Sequence, residues 1–169
     1  TEEWQSRLRR AALEGDRARI LELARSVHGE RHPPQGFLLL GQAVSRAGGG
    51  WPVEREVLLE GYRQHPGDFW INSTFTHRLL GSDAPDLNLV ERHARIAFSL
   101  QPEDAENCFV LGASLLLLRR GPDQPEALDI LKKGRSQARQ GFVADALDAA
   151  IRYAEGRNPL HAVDELRAR

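Results

Sequence analysis

Apolar residues recur every three or four positions along most of the chain, which is the spacing of one face of an α-helix. No segment shows the strict alternation of apolar and polar residues that marks a half-buried strand. The pattern therefore predicts an all-α protein of about ten helices and no sheet. The predicted helical segments are 4–16, 16–27, 36–45, 54–66, 68–80, 89–102, 106–116, 125–134, 141–156 and 160–169.

Local signals place the ends of several of these helices. Asp68 and Asp104 each follow a proline turn and precede an apolar pattern, so we expect both carboxylates to cap a helix by accepting from free backbone N–H groups. Gly15 is expected to end the first helix. Clusters of Gly, Pro and Asp predict turns at 47–52, 81–85 and 121–125.

The predicted helices repeat as pairs. Segments 36–45 and 106–116 both contain an apolar residue, then Leu-Gly, then a further apolar residue three positions on. A second amphipathic segment follows each of them. Pro66 and Pro102 close equivalent turns 36 residues apart, which suits a repeating unit of two helices.

These residues resemble the tetratricopeptide repeat, whose 34-residue unit has Leu-Gly in its first helix, small or apolar residues in its second and a closing proline. Asn72 and Thr76 depart from it, since the family favours a large residue and a glycine there. The resemblance implies an all-α, right-handed α-solenoid of stacked antiparallel helix pairs. The matching residues are Phe37, Leu40, Gly41, Val44, Leu58, Gly61 and Pro66, then Phe75, Leu79, Val90, Ala94, Ala97 and Pro102, then Cys108, Leu111, Gly112, Leu115, Ala127, Leu131 and Gly134.

The resemblance divides the chain into three parts of a single solenoid domain. Residues 1–33 are expected to form a degenerate N-terminal helix pair, and 34–140 three central pairs. Residues 141–169 are expected to form C-terminal capping helices.

Two stretches carry a narrower resemblance. "LRRAALEGDRARILELA" at 8–24 and "HPGDFWIN" at 65–72 look like the repeat regions attached to serine/threonine protein kinases of planctomycete-type bacteria. The chain has no Gly-rich phosphate loop, no His-Arg-Asp and no Asp-Phe-Gly. It also begins at Thr1 and contains no Met, so we expect it to be a non-catalytic piece of a longer protein, such as a kinase.

The resemblance also implies a binding surface, because in the family positions 2, 5, 9 and 12 of each first helix line a concave groove. Such a groove binds a peptide or helix of another protein. An alternative is that Trp70 and Phe109 complete the core or lie under a terminal helix. The expected groove residues are Leu38, Gln42, Trp70, Ser73, His77, Glu106, Phe109 and Ala113, which Gln5, Arg9 and Gln35 would extend.

Two further sequence observations bear on the partner. The positions at which some family members hold a C-terminal carboxylate contain Leu38, Gln42, Thr74, Glu106 and Val110 here, so that clamp is missing. A second hypothesis is a structural module that self-associates, as a homo-oligomer, through edge helices including 142–168.

Charge and cysteine content narrow the class of protein. The 23 Lys and Arg residues nearly balance the 24 Asp and Glu residues, so no global field favours nucleic acid or an anionic membrane, and neither is expected as a partner. Cys108 is the single cysteine and cannot form an internal disulfide, and no apolar run is long enough to span a membrane. The sequence therefore predicts a protein of the reducing cytoplasm.

Candidate chemistry is sparse. His28 and His32 have the i, i+4 spacing of a zinc pair, but Gly29 and Pro33 indicate a helix end or loop, and no third ligand is evident. Cys108 lies at a packing position of its helix and is expected to be a buried, inert thiol. We therefore expect no enzyme activity, no metal site and no cofactor.

Overall fold

The computed structural model describes residues 2–118 and 124–156, and within those ranges it contains nine α-helices and no β-strand. The described residues form two compact units that divide between residues 78 and 79: unit 1 comprises 2–78, and unit 2 comprises 79–118 and 124–156. The helices are α1 (Glu2–Glu14), α2 (Arg17–Arg25), α3 (Pro34–Arg46), α4 (Gly50–Gln64), α5 (Phe69–Leu80), α6 (Leu87–Leu100), α7 (Ala105–Leu118), α8 (Pro125–Gln137) and α9 (Phe142–Ala154).

The all-helical prediction is confirmed for the described residues, and the largest shift of a helix boundary is at the start of α4. The sequence predicts a turn over 47–52, but α4 begins at Gly50 and includes Pro52. The first turn of a helix has no intrahelical acceptors for its N–H groups, so a proline there removes no hydrogen bond. The predicted helix 160–169 lies outside the described residues.

The predicted helix-end signals are confirmed. Ile71 N–H donates to Asp68 Oδ1 at 2.9 Å, and Asn107 N–H donates to Asp104 Oδ1 at 2.8 Å. Gly15 follows the last residue of α1 and has a φ of 66°, a left-handed conformation that favours glycine. Each of the two aspartates satisfies a backbone N–H group that the first turn of its helix leaves unpaired.

Unit 1 buries a continuous apolar core contributed by all five of its helices. The α3–α4 contact is close at Gly61, where an added Cβ would lie 2.9 Å from Phe37 Cβ. A larger side chain at that position would push the two helices apart. The core residues are Trp4, Leu8, Ala11, Ile20, Leu23, Ala24, Val27, Phe37, Leu40, Ala43, Val44, Val57 and Ile71.

Unit 2 has its own core between α6, α7, α8 and α9. A Cβ on Gly112 would lie 2.5 Å from Leu131 Cγ, and one on Gly134 would lie 2.5 Å from Cys108 Cβ. The two glycines therefore set the distance between α7 and α8. The buried members of this core are Ala94, Val110, Leu111, Leu115, Leu116, Ala127, Leu131, Leu147 and Ala154.

Asn72, a polar residue where the family favours a large one, has a structural role. Asn72 is fully buried, and its Nδ2 donates to the backbone oxygens of Pro66 at 2.9 Å and Asp68 at 2.8 Å. At the equivalent position 36 residues later, Cys108 Sγ lies 3.7 Å from the backbone oxygen of Pro102. Both side chains fasten the start of a helix to the preceding proline turn, and the amide does so with two conventional hydrogen bonds.

We expect Gly134→Ala to destabilise unit 2 by about 1–3 kcal/mol, because its methyl group would overlap Cys108 Cβ. Urea unfolding followed by circular dichroism measures the loss. Gly67→Ala is the matched control, since nothing lies within 4 Å of the Cβ it would add. Equal stability of the two variants would contradict the close approach at Gly134.

His93 in α6 is fully buried, and burial, with a smaller contribution from the charge of Arg92, lowers its pKa to about 4. The unfolded chain binds a proton at this side chain near pH 6.5, whereas the folded chain does not until about pH 4. Its contribution to stability is therefore complete above pH 6.5 and is lost as the pH falls toward 4.

We expect the free energy of unfolding of unit 2 to lose about 3 kcal/mol between pH 7 and pH 4 through this residue. His93→Gln should remove that part of the pH dependence, whatever it does to stability at pH 7. Chemical unfolding at several pH values, compared with the exposed-site control His28→Gln, measures it. An unchanged slope in His93→Gln would show that His93 is not the group responsible.

Candidate functional site

Unit 1 contains a cavity of about 560 Å³ between α3, α4 and α5. Two of the expected groove residues, Leu38 and Gln42, lie in its wall. The full lining is Leu38, Leu39, Gly41, Gln42, Ser45, Arg46, Glu54, Leu58, Thr74 and Arg78. Apolar and polar groups thus meet on one surface that is large enough to hold several side chains of a bound segment.

The apolar part of the cavity comes from three leucines. Leu38 and Leu39 are half-buried on α3, and Leu58 is buried on α4. Gly41 lets α4 approach α3 here, since an added Cβ would lie 3.3 Å from Leu58 Cδ2. The half-buried Leu38 and Leu39 therefore supply the apolar surface that a bound segment could contact.

The polar part is organised by an ion pair between α4 and α5. Glu54 is buried, and both of its carboxylate oxygens accept hydrogen bonds from Arg78, from Nε at 2.5 Å and from Nη2 at 2.5 Å. Arg78 Nη2 also donates to Ser45 Oγ at 3.0 Å, which links α5 to α3. The hydrogen bonds to Glu54 raise the pKa of Arg78, so this guanidinium stays charged.

Arg46 lies in the last turn of α3 and lines two cavities. The second cavity, of about 110 Å³, extends along α3 toward α1 and α2 and shares Leu39 and Gln42 with the first. None of the ion pairs between described residues includes Arg46. Its guanidinium is therefore available to a bound molecule.

The three expected groove residues of α5 differ from one another in their exposure to solvent. Trp70 is 62% exposed, with its ring 5.0 Å from that of Phe69 in an edge-on contact, so it is not a core residue. Ser73 is buried and His77 is half-buried. The cavity itself takes Thr74 and Arg78 from this helix, one position after each of those two residues.

The remaining three expected groove residues lie in α7 of unit 2. Phe109 is half-buried and packs against the core of that unit, and Ala113 is half-buried as well. Glu106 is exposed in the first turn of α7 and lines a cavity of about 470 Å³ with residues 137–143. Phe109 therefore shares its surface between the core and the outside of unit 2.

The two histidines with zinc-like spacing have other surroundings. Both lie in the loop between α2 and α3, where His28 Nδ1 is 3.1 Å from Glu60 Oε2. His32 is buried with its ring stacked on Trp4 at 3.9 Å, and burial lowers its pKa. No three His, Cys, Asp or Glu side chains within residues 2–118 and 124–156 are grouped as a metal site.

Cys108 is buried in unit 2, and burial raises the pKa of its thiol. Since the thiolate is the reactive form, this environment makes the sulfur a poor nucleophile. The expectation of a buried, inert thiol therefore agrees with its surroundings.

No protein-family model matches the chain, and no curated protein matches it. Among solved structures, it is similar to MamA from AMB-1 in a P212121 form, with a TM-score of 0.65 and 19% sequence identity. The match covers 98% of this chain and 87% of that one. MamA is a tetratricopeptide-like helical solenoid protein, and the likeness confirms the fold class predicted from the sequence.

The length and hydropathy of the helices show whether any of them could cross a membrane. Within the described ranges, no helix combines the length and the apolar character needed to cross a bilayer.

We expect Arg78→Ala to lower the free energy of unfolding of unit 1 by about 2 kcal/mol, since it leaves the buried Glu54 carboxylate without its partner. Glu54→Gln alone and the double variant complete a double-mutant cycle in urea. The double variant should recover part of the loss, because its amide carries no buried charge. Strictly additive losses would show that the two side chains do not depend on each other.

Proposed function

We propose that this chain is a non-catalytic protein-interaction module that binds a peptide or helix of another protein in the unit 1 cavity. The observation that carries the proposal is the cavity of about 560 Å³ that joins Leu38 and Gln42 of α3 to Thr74 and Arg78 of α5. The tetratricopeptide-type fold supports it, since helical repeats of this kind present such surfaces to partners.

The chemistry of the cavity suits an extended segment rather than a small metabolite. Leu38 and Leu39 offer apolar contact, while Gln42 and Thr74 offer side-chain donors and acceptors that can pair with peptide groups. The cavity is open to solvent, so a segment of a partner can enter it.

Trp70 is the proposed aromatic anchor beside the cavity. A tryptophan that leaves 62% of its surface exposed places a large apolar area where a partner can cover it. Ser73 and His77 follow Trp70 on the same helix and are further proposed members of the groove. In unit 2, Glu106, Phe109 and Ala113 form the proposed contact surface of α7.

The setting of the module is also a proposal. The stretches at 8–24 and 65–72 support an accessory role beside a bacterial kinase domain, and the single buried thiol suits a reducing cytoplasm. A kinase domain in the same reading frame of the natural gene would support the first point, and a reading frame without one would contradict it.

A second candidate function, self-association, is favoured by α9. Phe142 at its start is 84% exposed, and Tyr153 near its end is also exposed. Two copies that cover these rings would gain apolar burial. Sedimentation velocity over a wide concentration range tests this: a dimer lost in Phe142→Ser supports it, and a monomer at all concentrations rules it out.

For the groove, the test is selection of a phage-displayed library of random linear peptides on the immobilised protein. We expect peptides selected on the wild type to lose at least about tenfold in affinity for Leu38→Asp, which places a charge on the apolar wall. Trp70→Ala should weaken binding while leaving the melting temperature nearly unchanged, because an exposed ring contributes little to the core.

The matched control is Leu13→Asp, an exposed leucine of α1 that lines neither of the two cavities that contain Arg46. Peptides that bind Leu38→Asp and Trp70→Ala as tightly as the wild type would contradict the groove. A large drop in the melting temperature of Trp70→Ala would instead assign that ring to packing.

A further inference from the structure

We propose that the unit 1 cavity recognises a partner segment that carries an acidic side chain next to an apolar one, and that Arg46 binds the acidic group. The inference rests on the proposed peptide-binding function and adds the chemistry of the ligand. It follows from the charges that line the cavity and from the partners that each of them already has.

The charged side chains of the cavity do not balance. Arg46 and Arg78 are cationic and Glu54 is the single anion among the lining residues, which leaves one positive charge. Both carboxylate oxygens of Glu54 already accept hydrogen bonds from Arg78. The uncompensated charge therefore belongs to Arg46, and a bound carboxylate would neutralise it.

Arg46 is one of six arginines of unit 1 that contact no carboxylate within 4 Å among the described residues, and of these six it is the one that lines the unit 1 cavity. Arg7, Arg19, Arg55 and Arg63 each contact a glutamate within 4 Å. Arg46 has no such contact among the described residues, although it lies where two cavities meet. A guanidinium without an ion-pair partner in the wall of a cavity can bind an anionic group of a ligand.

The apolar requirement comes from the same stretch of α3. Leu38 and Leu39 stand about two helical turns before Arg46 on the cavity wall. A segment lying along α3 could place an apolar side chain on the leucines while its carboxylate reaches the guanidinium. The leucines and the arginine of this cavity therefore match a segment that carries both an apolar and an acidic side chain.

A carboxylate fits better than a phosphate group. Phosphate sites in proteins use clustered arginines or several convergent N–H groups. Here the second guanidinium, that of Arg78, is already held by Glu54 and Ser45. One available arginine matches the single charge of an Asp or Glu side chain.

The test uses two pools of fluorescein-labelled peptides with blocked termini, so that neither pool carries a terminal carboxylate. Both pools contain a fixed leucine, followed by Glu in one pool and by Gln in the other, with neutral residues at the remaining positions. Fluorescence anisotropy gives the affinity of each pool for the wild type, for Arg46→Gln and for Arg25→Gln.

Arg25 is the matched control, because it lies in the last turn of α2 as Arg46 lies in the last turn of α3. It lines neither cavity that contains Arg46. Both substitutions remove one positive charge from unit 1 and the same favourable interaction with a helix C-terminus. A difference between them therefore reports the position of Arg46 and not the net charge.

We expect the Glu pool to bind the wild type roughly three- to tenfold more tightly than the Gln pool, as for a partly exposed ion pair. That ratio should persist in Arg25→Gln, fall to about one in Arg46→Gln and shrink at high salt. Circular dichroism confirms that all three proteins are folded.

Equal affinity of the two pools for the wild type, or an unchanged ratio in Arg46→Gln, would overturn the inference and leave the proposed function standing. Binding of neither pool at any protein concentration would count against both.

Discussion

The close approach of neighbouring helices at glycine is the constraint on which the rest of the structure depends. Gly112 and Gly134 leave room for Leu131 and Cys108 in unit 2, and Gly41 and Gly61 do the same for Leu58 and Phe37 in unit 1. A helix that lacks a Cβ at the contact lets its neighbour pack at full density. The cavity of unit 1 lies where α3 and α4, held together by this packing, meet α5.

The sequence predicted much of this fold because its signals are local. The Leu-Gly pattern, the proline turns and the caps at Asp68 and Asp104 each involve residues a few positions apart, and all were confirmed. Asn72 departs from the family pattern, because a polar side chain stands where the family favours a large one. Its value depends on the backbone oxygens of Pro66 and Asp68, which only the folded turn brings within reach.

The candidate site was less predictable, because its organising contacts span many residues. Glu54 and Arg78 lie 24 positions apart on different helices, and nothing in the local pattern of either one marks it as a partner. Counting family positions predicted that Leu38 and Gln42 would face a groove, and both line the cavity. The same count selected Ser73 and His77 on α5, whereas the cavity is lined by Thr74 and Arg78, the next residue in each case. Adjacent residues of a helix point about 100° apart, so a local pattern does not show which of them a cavity between three helices will include.

We propose that α3 and α5 of unit 1 form the binding surface. The most direct measurement is a two-dimensional NMR titration of the isotope-labelled protein with a peptide selected on the wild type. We expect the backbone amide signals of residues 38–46 and 70–78 to shift together, with a single dissociation constant. Shifts confined to α9 and residues 137–143, with α3 and α5 unchanged, would contradict it.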